Sequence, residues 1–113
     1  MHEVSLMESV VALVEDERRR HRFSRVQMIR LAVGTLSHAE PDALRFCFDA
    51  VTRGTIADGA RLEIVMLSGE GRCSNCRQLV PMADRFAPCP VCGGAEVRMT
   101  AGGELRVEDL EVE

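Results

Sequence analysis

The sequence contains no tryptophan, no tyrosine and no lysine, and four phenylalanines are its only aromatic residues. A buried core therefore has to be aliphatic. All 14 basic residues are arginines, and 18 acidic residues leave a net charge of −4, which argues against general nucleic-acid binding. No segment approaches the roughly 20 consecutive apolar residues of a membrane span. Glu3 and Glu8 stand where a signal peptide would carry positive charge, so we expect a cytoplasmic location.

Two Cys-x-x-Cys pairs, Cys73/Cys76 and Cys89/Cys92, are separated by 12 residues. Two facing turns of this kind complete the tetrahedral four-cysteine shell of a structural zinc site. The alternatives are two disulfides or a redox dithiol, but a redox dithiol needs no duplicate and nothing marks a secreted chain. We therefore predict structural Zn(II) at these four cysteines. Such a closed shell leaves no position for a substrate, so any activity has to lie elsewhere.

The spacing of apolar residues predicts two helices. The first runs from about residue 4 to 21, and Ser5 and Glu8 have the spacing of a capping box at its start. The second begins at Pro41, a favoured first residue of a helix, and ends before Gly54. Cys47 falls on the apolar face of this helix, so we expect a buried, small hydrophobic residue there.

Strands are predicted over 25–33 and 61–67, followed by a last strand that contains the apolar residues of 105–112. The predicted fold class is α+β, with a three-stranded sheet, two packed helices and an inserted four-cysteine zinc ribbon. The first domain covers 1–68 and is completed by a strand over 99–113. The zinc-binding domain covers 69–98, is expected to form two short hairpins, and contains too few apolar residues to fold without metal.

Three histidines are present. His21 follows a run of arginines at the end of the first helix, and we expect that basic segment to be a solvated face rather than a binding patch. His38 precedes Glu40 in a loop and is interpreted as a polar loop residue. No Ser/His/Asp order or glycine-rich phosphate loop is evident, so the sequence predicts no enzyme activity.

His2 is the more informative histidine. The amine of Met1, the backbone nitrogen of residue 2 and the His2 imidazole could chelate one metal ion, and such nitrogen-rich planar coordination suits Ni(II) or Cu(II) rather than Zn(II). Glu3, Glu40 or His38 could supply a further ligand. The competing interpretation is a frayed terminus in which His2 binds nothing.

Several segments resemble the HypA/HybF family of hydrogenase nickel-incorporation proteins, and the resemblance extends over essentially the whole chain. The segments are Met1-His2-Glu3 with Ser5-Leu6, Gly34-Thr-Leu-Ser37 with Glu40 to Leu44, Gly54-Thr55, Gly59-Ala60, the two Cys-x-x-Cys pairs, and Glu104-Leu105 to Glu113.

The resemblance implies a small cytoplasmic metallochaperone that carries Ni(II) as cargo. It implies nickel at Met1, His2 and Glu3, zinc at the four cysteines, and Glu40 as an acidic residue near the nickel. The implied partners are a HypB-type GTPase and the large-subunit precursor of nickel–iron hydrogenase, and a homodimer is possible. Some members have His directly after the Cys-x-x-Cys pairs, and this chain has Arg77 and Gly93 there. That difference argues against His/Cys ligand exchange and against a role in urease maturation.

Two other functions compete with nickel delivery. One is a zinc-ribbon adaptor for nucleic acid or the transcription machinery, since four arginines flank the cysteines; nearby acidic residues and the scarcity of aromatic residues oppose it. The other is an enzyme that uses an N-terminal metal, for which no general base lies close to His2 in sequence.

Overall fold

The computed structural model describes residues 2–113, with only the backbone described for His2. Along this part of the chain the helices and strands are α1 (His2–His21), β1 (Val26–Gly34), α2 (Pro41–Thr52), β2 (Arg61–Leu67), β3 (Glu70–Cys73), β4 (Leu79–Pro81), β5 (Val97–Ala101) and β6 (Leu105–Val112). The α+β prediction is confirmed. No helix of residues 2–113 is long and apolar enough to cross a membrane.

The chain forms two compact units. Unit 1 comprises the residues up to 31 together with 39–65 and 106–113, and it contains both helices and most of a sheet with the order β2-β1-β6. Unit 2 comprises 32–38 and 66–105 and contains a second sheet, with the order β4-β3-β5.

Helix α1 begins earlier than the sequence predicts. Because it starts at His2, Ser5 lies within the helix, and the predicted capping box is wrong. The helix buries Met7, Val10 and Val14, which share one face. After the helix ends at His21, Arg22 adopts a left-handed φ of 53° and its N–H donates to the carbonyl of Arg18 at 2.8 Å. This bond satisfies one of the last carbonyls of the helix.

Helix α2 matches its prediction closely. Pro41 is its first residue and Glu40 its N-cap, and Gly54 follows the end of the helix with a φ of 78° that favours glycine. The buried face carries Leu44, Cys47, Phe48 and Thr52, with Cys47 4% exposed. The prediction that Cys47 is a buried small residue is confirmed.

The centre of the first sheet is strand β1. Its residues Met28, Ile29 and Leu31 are fully buried, so burial does not alternate along the strand. Arg30 is a half-buried charged residue of this strand, and it forms ion pairs with Glu63 of β2 at 3.1 Å and Asp109 of β6 at 2.8 Å. Hydrogen bonds from Arg61 and then Arg30 lower the pKa of Glu63. Ion pairs of Arg30 thus connect β1 to both of its neighbouring strands on the solvent-exposed side of the sheet.

Unit 2 differs from the predicted pair of hairpins. Strand β3 is central and pairs antiparallel with both β4 and β5. The strand expected over 99–113 is interrupted: residues up to 101 pair with β3, and β6 begins at Leu105. Gly71 permits the close packing of this small sheet, because a Cβ there would lie 2.5 Å from Met82 Sδ and 2.7 Å from Val97 Cγ1.

Replacement of Leu44 by Ala tests the aliphatic core of unit 1. Leu44 is fully buried on α2, so the substitution leaves a cavity and is expected to lower the free energy of unfolding by about 3 kcal/mol. Leu13→Ala on α1 is the matched control, because Leu13 is 47% exposed; its effect is expected to stay below about 1 kcal/mol. Urea unfolding measures both variants, and equal destabilisation would contradict the assignment of the core.

Candidate metal centre

The two Cys-x-x-Cys pairs form turns of the same geometry. In the first turn, the Arg77 N–H donates to the Cys73 carbonyl at 2.8 Å, and the Cys73 N–H donates to the carbonyl of Gln78 at 3.0 Å. The second turn repeats both bonds: Gly93 donates to Cys89 at 2.8 Å and Cys89 to Gly94 at 2.9 Å.

The residue that follows each pair has a left-handed backbone. The φ values are 63° at Arg77 and 76° at Gly93. Glycine adopts this conformation without strain, whereas an arginine does so at some cost. The turn therefore requires a backbone conformation at this position rather than a particular side chain.

The four sulfurs converge on one point. The Sγ atoms of Cys73, Cys76, Cys89 and Cys92 all lie within 4.8 Å of one another. The Cys73–Cys92 and Cys76–Cys89 Sγ separations are 3.5 and 3.8 Å. Four sulfurs bound about 2.3 Å from a central ion are separated by roughly 3.8 Å in a tetrahedron, whereas a disulfide needs about 2.05 Å. All five cysteines are free, so the arrangement is a four-cysteine metal-binding group.

Backbone N–H groups point at the sulfurs. Cys76 and Cys92 donate to the first sulfur of their own pairs at 3.5 Å, and Val91 and Gly94 donate to Cys89 and Cys92 at 3.4 Å. Such donors stabilise thiolates, the form that binds metal.

Asn75 supplies a side-chain donor that sequence analysis did not identify. Its Nδ2 donates to Cys92 Sγ at 3.4 Å. The residue occupies a variable position of the first Cys-x-x-Cys pair, and its short amide reaches across to the second. Gly94 is also closely packed, since a Cβ there would lie 3.3 Å from both Cys92 Sγ and Asn75 Cβ. The only sequence feature that could have indicated a role for Asn75 and Gly94 is their position next to the cysteines.

The pKa values of the cysteines differ according to the groups that surround each sulfur. The Asn75 amide and then the Gly94 N–H lower the pKa of Cys92 to about 6. The Cys92 N–H is the main cause that lowers the pKa of Cys89. At Cys76 the N–H of Gln78 favours the thiolate, but burial and the neighbouring sulfurs prevail and raise its pKa to about 11. Thiolates packed this closely repel one another, and the attraction of each thiolate to a bound cation outweighs that repulsion.

The ligands also differ in exposure. Cys73 and Cys89 are 0% and 2% exposed and pack against Val80 and Val97, whereas Cys92 is exposed. The site is therefore anchored on the buried side and reached by solvent at Cys92.

The predicted nickel residues lie at the other end of the sequence. Met1 and the side chain of His2 lie outside the described part of the chain. Glu3 is half-buried in the first turn of α1, and its Oε2 lies 3.5 Å from the backbone nitrogen of Glu40. Glu3 and the N-cap of α2 are thus neighbours, although 37 residues separate them in sequence.

The remaining histidines are surface residues. The His21 side chain is 69% exposed and lies 3.3 Å from Glu17, which confirms the predicted solvent exposure. His38 is exposed, with a φ of 65°, in the loop before α2. Among the described side chains, which exclude those of Met1 and His2, the four cysteines are the only group of three or more His, Cys, Asp and Glu residues arranged to hold a metal ion.

Comparisons with known proteins agree with this architecture. Residues 1–112 match the family model described as hydrogenase/urease nickel incorporation, metallochaperone, HypA. Hydrogenase maturation factors HypA of Methylocella silvestris and of Rhodopseudomonas palustris strain BisB5 are 70% and 51% identical over 113 residues, covering all of both chains.

Two solved structures have the same fold. The solution structure of the Ni metallochaperone HypA from Helicobacter pylori superposes with a TM-score of 0.73 at 21% identity, covering 97% of this chain and 96% of that one. A solution structure of a HypA protein gives a TM-score of 0.74 at 25% identity, covering 100% and 97%.

The fold and the sulfur cluster define a small α+β metal-binding protein with a four-cysteine module. With the family model matched over 112 residues, the chain belongs to the HypA family of nickel-incorporation metallochaperones.

Replacement of Cys73 by Ala tests the metal-binding group. The loss of one of four ligands is expected to abolish retention of the metal and, with it, the folded state of unit 2, because the free energy of metal binding is used for folding. Cys47→Ala is the matched control, since Cys47 is a buried cysteine that is not part of the cluster. Metal content after dialysis and amide exchange measure the outcome. If Cys73→Ala retained one equivalent of metal, the assignment would fail.

Proposed function

We propose that this protein is a nickel metallochaperone: it binds Ni(II) at its N-terminus and delivers it to the large-subunit precursor of nickel–iron hydrogenase with the help of a HypB-type GTPase. The observation that carries the proposal is the family match, which begins at residue 1 and so includes Met1-His2-Glu3. Ni(II) is the cargo. The protein's chemistry is ligand exchange, with no bond made or broken in a substrate, so the proposed function is not enzymatic.

The four cysteines are proposed to hold structural Zn(II). Zinc has no geometric preference of its own and binds four thiolates tetrahedrally, which fits sulfurs separated by 3.5 and 3.8 Å. The metal would offset two of the four negative charges of the converging thiolates and hold the two turns together. The proposed zinc-binding domain covers 69–98, and the proposed nickel-binding domain covers 1–68 together with the C-terminal segment 99–113.

The nickel site is assigned to Met1, His2 and Glu3. The start of α1 at His2 supports this assignment, because the first N–H groups of a helix have no intrahelical acceptor. A nickel ion could take a nitrogen of this turn without breaking a helical hydrogen bond. The ligands would be the Met1 amine, the backbone nitrogen and imidazole of His2, and the Glu3 carboxylate.

Glu40 is proposed as an additional nickel ligand. Its backbone nitrogen lies 3.5 Å from Glu3 Oε2, and its side chain is exposed at the start of α2. Glu40 could therefore bind nickel together with the first turn of α1. A carboxylate is also an easily exchanged ligand, as a protein that releases its metal requires.

An amine ligand makes nickel binding depend on pH. The free α-amine has a pKa of about 8, and only its neutral form binds metal. Binding should therefore weaken as the pH falls below that value.

Delivery would occur in the cytoplasm, where the five free cysteines stay reduced. A homodimer is compatible with this function.

One observation favours the competing adaptor function. Arg72, Arg77 and Arg98 line a cavity of about 360 Å³ in unit 2, where nucleic-acid phosphates could bind. The overall charge of −4 opposes this function. Steeply salt-dependent binding to DNA or RNA would favour the adaptor over nickel delivery.

Calorimetric titration of Ni(II) into zinc-loaded protein with its native N-terminus tests the proposal. The wild-type protein is expected to bind about one Ni(II) tightly, and His2→Ala is expected to lose that binding because the imidazole and its chelate ring are removed. His21→Ala is the matched control, since His21 is exposed at the opposite end of α1.

Zinc content, measured in parallel, should be the same in all three proteins. If the wild type and His2→Ala bound nickel equally, or if neither bound it, the N-terminal site would be wrong.

A further inference from the structure

The C-terminal end of α1 carries a cavity that the nickel and zinc sites do not explain. Its volume is about 580 Å³, and Glu15, Arg18, Arg19, Arg22, Phe23 and Ser24 line it. Three arginines therefore line one solvent-open cavity on a protein whose net charge is −4.

The arginines of this segment fall into two groups. Arg20 is paired with Asp16 at 3.3 Å, and it does not line the cavity. Arg18 has one long contact with Glu15, at 3.9 Å. Arg19 and Arg22 have no ion pair or side-chain hydrogen bond anywhere in residues 2–113. The solvated face predicted from sequence thus contains two unpartnered cations beside a third that is weakly paired.

We propose that this cavity, the α1 arginine cavity, docks an acidic segment of a partner protein by pairing Arg18, Arg19 and Arg22 with two or three carboxylates. Guanidinium groups bind carboxylates in planar, two-point pairs. A cavity of about 580 Å³ is the size of a typical small-ligand pocket, so it can take a few side chains. The proposal does not depend on nickel binding at Met1 and His2.

The position of the cavity favours carboxylates over phosphate. A compact phosphate dianion binds best at a helix N-terminus, where N–H groups point outward. This cavity lies at the opposite end, where the helix presents carbonyl oxygens and a partial negative charge. That partial negative charge repels a compact, doubly charged phosphate more strongly than the singly charged carboxylates that are spaced along an acidic peptide.

Other anionic surfaces fit less well. A membrane surface would require apolar anchors, and none of the cavity residues is among the exposed large hydrophobic residues of the described chain. The second arginine cavity, lined by Arg72, Arg77 and Arg98, also includes Cys73, so the negative thiolates of the metal centre lie next to it. The α1 arginine cavity has only Glu15 as an opposing charge among its lining residues.

Fluorescence anisotropy with a labelled hexapeptide of alternating Asp and Glu tests the proposal on the zinc-loaded, full-length chain. Wild-type protein is expected to bind the peptide, and binding should weaken with added salt. Arg19→Gln/Arg22→Gln removes both unpartnered cations and is expected to weaken binding about fivefold, as two partly exposed ion pairs would.

Arg20→Gln/Arg53→Gln is the control, because it removes the same charge from two arginines outside the cavity. It is expected to change binding by less than about twofold. Amide chemical-shift changes on adding peptide should centre on 15–24. The melting temperature and zinc content of both variants should equal those of the wild type, which separates loss of docking from loss of folding.

Three results would overturn the proposal. One is an equal loss of binding in the two double variants, which would reflect net charge alone. Another is tighter binding of tripolyphosphate, duplex DNA or phosphatidylglycerol vesicles than of the peptide. The third is a set of chemical-shift changes centred on Arg72, Arg77 and Arg98.

Discussion

The mutual repulsion of four cysteine sulfurs is the constraint on which unit 2 depends. The Sγ atoms lie within 4.8 Å of one another, so all four can be thiolates together only when a cation offsets their repulsion. The surrounding sheet is small, and few of its side chains are buried: Cys73, Val80 and Cys89 form its cluster around the site. Hydrogen bonds to the sulfurs favour the thiolate form, and the metal then supplies the attraction that the small core lacks.

Unit 1 is stabilised differently. Its helices bury aliphatic side chains such as Met7 and Leu44, and this burial requires no metal. The first turn of α1 and the N-cap of α2 meet through Glu3 and Glu40. The two proposed metal sites therefore have different roles. The proposed zinc is enclosed by four sulfurs and stabilises the fold, whereas the proposed nickel binds to accessible nitrogen and oxygen atoms from which it can be released.

The sequence predicted those features that have short-range causes. Strand β2, helix α2 and the buried Cys47 follow from periodicity, from Pro41 and from Gly54, and all three agree with the structure. The four-cysteine group follows from spacing. The start of α1 was misplaced because Ser5 resembles an N-cap, although the helix continues through it to His2.

Features that depend on long-range contacts could not be predicted. Strand β5 pairs with β3 across more than 20 intervening residues, which no local pattern reveals. The hydrogen bond from Asn75 to Cys92 requires the two turns to face each other. The absence of ion pairs at Arg19 and Arg22 could not be predicted either, because the sequence does not show which carboxylates lie within reach of an arginine.

X-ray absorption spectroscopy at the nickel and zinc edges of one sample, loaded with both metals, tests the central claim most directly. The account predicts zinc with four sulfur ligands at about 2.3 Å and nickel with nitrogen and oxygen ligands only. Sulfur in the nickel shell, or nitrogen in the zinc shell, would contradict the assignment of two separate sites.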